Sequence, residues 1–189
     1  MINFLVDLFA KLLTALIPVK SVRGRNRDKI KTFILGYKII TKAKSVGKNF
    51  LCVNWSYCSN NTIIKDNVGV NGLKVDGEGL LTIGNYVQFG KDVCIITQNH
   101  DYDNDETLPY GKKVNCKEVE IGDFCWIGSR VTILPGTKIG EGAIIQAGAV
   151  VHGEIPPCAI AGGNPAKVFK YRDVEHFNKL KSEGEFYMP

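Results

Sequence analysis

The chain has 189 residues and a formal net charge of +5, a length that predicts one domain with a real hydrophobic core. Its six cysteines include no C-x-x-C pair, so the sequence gives no sign of a disulfide framework or a zinc knuckle.

The first predicted element is an amphipathic helix over residues 2–17 that ends near Pro18. Its apolar face consists of Ile2, Leu5, Leu8, Phe9, Leu12, Leu13 and Leu16. Asp7 and Lys11 interrupt the apolar run, which is too short to span a bilayer. No basic residue precedes it and no small-residue cleavage site follows, so it is a poor secretion signal. We therefore expect a cytoplasmic protein.

A basic stretch follows, since residues 20–44 carry nine Lys and Arg against one acid, a net of +8 that leaves about −3 for the rest of the chain. With the preceding helix, this pattern favours two interpretations. The segment folds back over the open end of the repeat described next, or it contacts an anionic membrane peripherally at the inner face. Nucleic acid is not an expected partner, because the basic residues lack interleaved aromatic side chains.

A six-residue repeat of mostly aliphatic side chains fills the middle of the chain. Its members are Val46, Cys52, Cys58, Ile64, Val70, Ile83, Phe89, Ile95, Ile121, Ile127, Ile133, Ile139, Ile145 and Val151. A companion position four residues later holds small or mid-sized side chains. Such a period is typical of a chain that coils into a solenoid. The one-residue slip between Val70 and Ile83 falls in a glycine-rich stretch and predicts a bulge or loose corner.

Two segments depart from the repeat. The gap between Ile95 and Ile121 exceeds one step by about twenty residues, which predicts a projecting polar loop over 99–118 of the kind that tends to be functional. Near the end of the chain, helical spacing predicts a short helix stopped near Gly184. We divide the chain into a helical basic segment (1–45), a coil (46–166) and a C-terminal basic segment with a helix (167–189).

Two stretches of the coil resemble a known family. They are "LTIGNYVQFGKDVCIITQNHDY" and "IGDFCWIGSRVTILPGTKIGEGAIIQAGAVVHGEIPPCAIAGGNPA". They resemble the hexapeptide-repeat acyltransferases, in the branch of the galactoside, maltose, nodulation and capsule O-acetyltransferases. The resemblance implies that the coil is a left-handed parallel β-helix. Together with the helical segments that the patterns predict at both ends, we expect a mainly β fold, although the family does not explain the N-terminal forty residues. The resemblance also implies a homotrimer, acetyl-CoA as donor, no metal, and active sites between neighbouring coils.

The candidate catalytic base is His100, one of three histidines with His152 and His176. It precedes the projecting loop, where the resembling families carry their catalytic histidine. Acyl transfer to a hydroxyl needs a base, and imidazole suits the task because its pKa lies near neutral pH. Position alone also fits a surface residue at a strand end. The group that orients the ring stays open among Asp101, Asp103 and a backbone carbonyl.

The resemblance also implies most of the remaining site residues. The Ser129 backbone N–H matches a position that donates to the thioester carbonyl, as an oxyanion requires. The candidate cofactor-binding residues are Trp126, Gly128, Ser129, Ala147, Lys167, Lys170 and Arg172, the last three for the phosphates. For the acceptor, relatives use a polar residue of an upstream coil, often Asn, and Asn71 is the nearest candidate. Asn85 and Tyr102 are further candidates that the resemblance does not single out. His152 matches a position along the cofactor groove of the relatives but is expected to be a surface residue, and His176 is expected to be a structural residue of the terminal helix.

The predicted activity is acetyl-CoA-dependent O-acetylation of a sugar hydroxyl, in the biosynthesis of a surface polysaccharide or lipopolysaccharide. Two alternatives stay open: N-acetylation of an amino sugar or a streptogramin-type antibiotic, and a non-catalytic β-solenoid assembly subunit. A zinc enzyme of the γ-carbonic anhydrase type is disfavoured, because the paired H-x4-H ligands are missing.

Overall fold

The computed structural model describes residues 30, 32–103 and 107–187. Within them the predicted mainly β coil is confirmed: short parallel strands wind into a three-faced prism of about six turns. We call each turn a rung. The amphipathic helix predicted over 2–17 lies outside the described residues.

Each face of the prism is one sheet. The first face contains β1 (Ser45–Val46), β3 (Thr62–Ile64), β6 (Leu81–Ile83), β11 (Val119–Ile121), β14 (Lys138–Ile139) and β17 (Glu154–Ile155). The second contains β2 (Leu51–Cys52), β4 (Gly69–Asn71), β7 (Gln88–Lys91), β12 (Trp126–Ile127), β15 (Ile144–Ile145) and β18 (Ala159–Gly163). The third contains β5 (Lys74–Asp76), β8 (Cys94–Ile96), β13 (Thr132–Ile133) and β16 (Val150–Val151).

Three edges connect these faces. The first corner joins the first face to the second, the second corner joins the second face to the third, and the third corner leads back to the first face. The predicted loop over 99–118 leaves the prism at the third corner. It contains a two-stranded antiparallel hairpin, β9 (Gln98–His100) and β10 (Val114–Cys116), which the sequence did not predict.

The core is the stack of inward repeat positions, as predicted. From Cys52 onward, every member of the aliphatic series is at most 6% exposed. The parallel registers stack each residue on its equivalent in the next rung, so that Ile127 lies between Phe89 and Ile145. Removal of this apolar surface from water is the main contribution to the stability of the coil.

The phase slip is a local irregularity, also as predicted. Val75 pairs with Ile95, and Ile64 pairs with Ile83. The step from Val70 to Val75 is therefore five residues and the step from Val75 to Ile83 is eight, which together exceed two regular steps by one. The coil continues through this stretch.

Four of the six cysteines are buried and act as small apolar fillers: Cys52, Cys58, Cys125 and Cys158. All six lie in the described part of the chain, and no disulfide joins any of them. Burial raises the pKa of Cys125 to about 12 and that of Cys58 to about 11, so both thiols stay protonated at neutral pH.

A helical segment covers the N-terminal end of the coil. It comprises helical residues at 30 and 32–35 and α1 (Tyr37–Lys42). Leu35 and Ile39 are buried on the first rung, and the Cys52 backbone N–H donates to Thr32 Oγ1 over 3.1 Å. This part of the basic stretch therefore caps the coil. No helix in the described residues is long and apolar enough to cross a bilayer.

The chain end differs in one respect from the prediction. The basic segment after residue 166 is a strand, β19 (Ala166–Tyr171), which runs antiparallel to β18 on the second face. The predicted helix follows as α2 (Val174–Glu183). Asp173 caps its first turn by accepting from the His176 N–H, and Gly184 ends it in a left-handed conformation (φ 73°).

Two neighbouring isoleucines provide a test of the core. Ile145 points inward and is 1% exposed, whereas Ile144 in the same strand points outward and is half-buried. We expect Ile145→Ala to lower the free energy of unfolding by about 2–5 kcal/mol, because it removes buried methyl groups and leaves a cavity. Ile144→Ala is the matched control and should lower the free energy of unfolding by clearly less. Urea unfolding at one fixed protein concentration measures both, and equal losses would contradict this assignment of inward and outward positions.

Candidate active site

His100 lies in the hairpin at the third corner, on strand β9, opposite Val114 of β10. Its exposed imidazole stacks on the Tyr110 ring, with centroids 4.0 Å apart and planes inclined by 15°. Lys113 Nζ lies 3.5 Å from the Asp101 carboxylate, and the Gly111 N–H donates to the Asp101 carbonyl. Among the described residues, neither Asp101 nor Asp103 hydrogen bonds to the imidazole. The only contact that fixes the ring in this part of the chain is therefore the one with Tyr110.

The corners are held by side chains that accept a backbone N–H from the preceding rung. At the first corner, an Asp66 carboxylate oxygen accepts from the Lys48 N–H (2.7 Å), and the Asn85 side-chain oxygen accepts from the Asp66 N–H (3.1 Å). An Asp123 carboxylate oxygen likewise accepts from the Asn85 N–H (2.7 Å). At the second corner, Ser129 Oγ accepts from the Lys91 N–H over 2.9 Å. A buried or half-buried N–H needs such an acceptor.

The N–H of Ser129 has no such acceptor among the described residues. Its partner in the next rung is Ala147, whose side chain carries no oxygen. The N–H groups of Asp123 and Glu141 at the first corner also lack an acceptor in this part of the chain, so a free N–H alone does not make a site. Ser129 is distinguished by its neighbour in the next rung, because Ala147 is exposed and carries only a methyl group, whereas the corresponding neighbour of Asp123 is the longer Glu141. A ligand can therefore approach the Ser129 backbone closely.

Most of the candidate cofactor residues lie along this second corner and the adjoining second face. Trp126 is 56% exposed, and the registers place it in one outward column with Ile144, Ile160 and Lys170. Three strand spacings separate Trp126 from Lys170, about 14 Å. Lys167 pairs with Gly162 at the end of β18, one rung beyond Ala147. Along this surface, Trp126 provides an apolar wall, Ala147 lies on an edge of small residues, and Lys167 and Lys170 supply two cations.

Arg172 does not belong to this group, which corrects the sequence prediction. Because β19 runs antiparallel to β18, it returns from the second corner to the first. There the Arg172 N–H donates to the Cys158 carbonyl, and its guanidinium lies 5.8 Å from the centroid of Phe177. It lines a cavity of ≈ 200 Å³ between α2 and the first corner. The other lining side chains are Tyr86, Gln88, Phe124, Phe177, Leu180, Lys181, Glu185, Phe186 and Tyr187.

The three candidate acceptor-binding residues are dispersed. Asn71 lies at the second corner, where its Oδ1 accepts from Asn54 Nδ2. Asn85 lies at the first corner, where Asp66 and Asp123 already engage its amide. Tyr102 lies in the projecting loop and is 71% exposed.

Sequence analysis missed two residues of this region. Lys91 lies between Asn71 and Ser129 on the second corner, where its N–H binds Ser129. Lys91 could have been located from the repeat, because it is the equivalent of Ser129 in the preceding rung once the inserted loop is subtracted. Tyr110 lies ten residues after His100, and no periodic pattern in the loop signals that their rings stack.

The other two histidines lie outside the hairpin. His152 is exposed, as expected, and lies at the third corner two rungs beyond β8, the strand that leads into the hairpin. His176 is exposed on α2. No group of three His, Cys, Asp or Glu side chains within the described ranges is arranged to hold a metal ion.

Within one chain, His100 and Ser129 occupy different edges. Ser129 lies at the second corner, whereas the hairpin of His100 leaves the third corner. The third face separates the two corners by five residues of extended chain from Asp92 to Thr97, about 16 Å. No hydrogen bond, ion pair or ring contact joins the hairpin to the second corner among the described residues.

Comparisons with known proteins agree with this architecture. Residues 118–153 match the family model described as bacterial transferase hexapeptide (six repeats). A candidate acetyltransferase of Saccharomyces cerevisiae is 38% identical over 126 residues, which cover 65% of this chain and 63% of that protein. The first three curated relatives are spanned over only 42%, 39% and 63% of their own lengths.

Solved structures share the fold over nearly the whole chain. A galactoside acetyltransferase in complex with coenzyme A matches with a TM-score of 0.62 and 24% identity, covering 90% of this chain and 83% of that one. A maltose O-acetyltransferase from Clostridium difficile matches with a TM-score of 0.53 and 25% identity, covering 88% and 86%. The solenoid fold inferred from the repeat is confirmed.

Proposed function

We propose that this chain, a hexapeptide-repeat protein similar to acetyltransferases, is an acetyl-CoA-dependent O-acetyltransferase that modifies a sugar hydroxyl. The observation that carries the proposal is the free Ser129 N–H, beside the small residues Gly128 and Ala147 at the second corner. A preorganised N–H of this kind stabilises the oxyanion that forms when a thioester carbonyl is attacked.

The reaction needs one base and one oxyanion donor. The His100 imidazole takes the proton of the acceptor hydroxyl as its oxygen attacks the acetyl carbonyl. The Ser129 N–H holds the negative charge on the tetrahedral intermediate. The C–S bond then breaks, and the CoA thiolate receives the proton from the imidazolium. The Ser129 hydroxyl takes no covalent part, because it already accepts the Lys91 N–H.

We propose that the two groups meet between protomers of a homotrimer. If the third face of each protomer points toward a threefold axis, the second corner of one protomer lies beside the third corner of the next. Each of the three interfaces then unites a Ser129 edge with a neighbouring His100 hairpin, as closed cyclic symmetry requires.

The composition of the faces supports this orientation. Beyond its first strand, which carries the exposed Lys74 and Asp76, the third face has outward residues that are half-buried, uncharged and mostly apolar: Cys94, Ile96, Thr132, Leu134 and Val150. The outward residues of the first face include exposed Glu120, Lys138 and Glu154. Removing charged side chains from water at an interface costs more free energy than removing apolar ones. The third face is therefore the better candidate for self-association.

Acetyl-CoA would lie along the second corner. Its pantetheine arm fits past Gly128 and Ala147 with Trp126 as an apolar wall, and Lys167 and Lys170 would bind its phosphates. For the acceptor, Asn71 on the same corner and Tyr102 beside the hairpin are the candidates. Asn85 is left out because its amide is engaged at the first corner.

The proposal is tested with labelled acetyl-CoA and a panel of nucleotide sugars and oligosaccharides. A product whose label is released by mild alkali is an O-ester, and one that retains it is an amide. We expect the ester, on an acceptor used in the cytoplasm for surface polysaccharide or lipopolysaccharide assembly. An alkali-stable product would favour N-acetylation of an amino sugar, and no transfer to any acceptor would favour the assembly-subunit alternative.

Tyr110 gives a prediction specific to this site, as a positioning residue for His100. Its ring restricts the imidazole by stacking, a contact worth about 0.5–1.5 kcal/mol between aromatic rings. We expect Tyr110→Leu to lower kcat by up to about tenfold at an unchanged KM for acetyl-CoA. Tyr110→Phe keeps the stack and should retain the rate. Equal losses in both variants would show that the hydroxyl, not the stack, matters.

A further inference from the structure

The charge of the chain is polarised along the coil. Residues 1–65 carry twelve Lys and Arg against two acids, a net of +10, and residues 66–189 carry twelve against seventeen, a net of −5. Residues 29–65, ends included, contain seven lysines and no acid at all. This segment contains the capping helix and the first rung, so the covered end of the prism is strongly cationic.

The same end exposes a stripe of large apolar side chains. Ile30, Phe33, Tyr37 and Ile40 are 55%, 57%, 36% and 38% exposed. Their spacing of three, four and three residues aligns them on one side of the helical segment, and the rings of Phe33 and Tyr37 lie 6.2 Å apart. The opposite side carries the buried Leu35 and Ile39. The helical segment is therefore apolar on both sides, and its outer side needs a partner.

We propose that this cap stripe, with the lysines around it, docks the prism end-on to an anionic lipid surface. Apolar side chains enter the boundary between headgroups and acyl chains, while lysines bind the lipid phosphates. The acidic remainder of the chain is repelled by the same surface, which orients the coil axis away from the membrane. The inference is independent of the proposed enzymatic function.

Charge decides between this partner and the alternatives. A second copy of the cap would bring two cationic ends together. The helix predicted over residues 2–17 offers apolar side chains to the stripe but only one acid, Asp7, to its lysines. An anionic bilayer complements both features at once. Residues 1–29 contain five further Lys and Arg side chains besides Lys29, so the composition of that segment is cationic as well.

Co-sedimentation of the full chain with lipid vesicles tests the proposal. We expect binding to phosphatidylcholine vesicles that contain about one third phosphatidylglycerol, and little binding to phosphatidylcholine alone. Raising the salt from about 0.1 M to about 0.5 M should release the protein, because it screens the lysines. This series requires no substitution, so it cannot be confused with a folding defect.

Two pairs of substitutions separate the contribution of the apolar stripe to vesicle binding from that of the lysines. Phe33→Ser should weaken binding by about tenfold, since it removes one large apolar side chain from the contact. Phe169→Ser is its matched control, because Phe169 is 61% exposed near the opposite end of the coil. Lys42→Glu with Lys44→Glu should weaken binding by about tenfold or more, whereas Lys138→Glu on the first face should not.

Three results would overturn the proposal. They are absence of binding to anionic vesicles, equal binding to both kinds of vesicle, and unchanged binding by Phe33→Ser, which would mean that another segment covers the stripe. Acetyl transfer to a soluble acceptor should be the same for Phe33→Ser and the wild type. That assay reports on the proposed function alone, so the two proposals fail separately.

Discussion

His100→Ala should lower kcat for acetyl transfer by about 10²–10⁴-fold, because it removes the base that accepts the hydroxyl proton. The fold should be unaffected, since the ring is exposed and its single ring contact within the described ranges is the one with Tyr110. Binding of CoA, measured by calorimetry, should match the wild type, because the groups proposed to hold it lie at another corner.

His176 is the control for this prediction. His176→Ala changes an exposed imidazole on α2, outside the proposed site, and should retain the wild-type rate. Substitutions at such surface positions usually change the free energy of unfolding by about 0.5 kcal/mol or less. A His100→Ala protein that folds and transfers acetyl groups at the original rate would remove the base from the mechanism.

Ala147→Asp should abolish most activity by a different route. Asp123 caps the Asn85 N–H at the first corner through a carboxylate 2.7 Å away. An aspartate at 147 would cap Ser129 in the same way and would bring negative charge to the place where the oxyanion forms. Loss of one oxyanion donor costs about 10²–10³-fold in kcat. The fold should be kept, because the new bond repeats one that the coil already contains.

Two further substitutions at the same position separate capping from obstruction. Ala147→Asn caps the N–H without a charge and should also lower kcat, by less than the aspartate. Ala147→Leu carries no acceptor, so it should raise the KM for acetyl-CoA by crowding the pantetheine arm while it leaves kcat nearer the wild type. If all three variants change only the KM, the Ser129 N–H is not the oxyanion donor.

The sequence predicted the coil because its signal is periodic and local. A six-residue step fixes which side chains point inward, so Ile127 and its equivalents could be assigned to the core without a structure. The ends of α2 were predictable for a similar reason, since Gly184 marks the end of a helix by its own conformational freedom.

The features that were not predictable depend on contacts between distant parts of the chain. Nothing in residues 167–172 indicates that β19 turns back along β18, and this reversal removes Arg172 from the second corner. The hydrogen bond from the Asn85 amide to Asp123 joins residues that are 38 positions apart in sequence, on either side of the inserted loop. The free N–H of Ser129 follows from an absent side-chain oxygen one rung away, which becomes visible only when the rungs are stacked.

Mixed trimers test the central claim, that each active site joins His100 of one protomer to the Ser129 edge of the next. His100→Ala protomers keep an intact second corner, and Ala147→Asp protomers keep an intact imidazole. When equal amounts of the two inactive proteins exchange subunits, about one quarter of the interfaces unite both intact halves. We predict that the mixture regains about one quarter of the wild-type rate. A mixture no more active than the mean of its two parents would contradict a site shared between protomers.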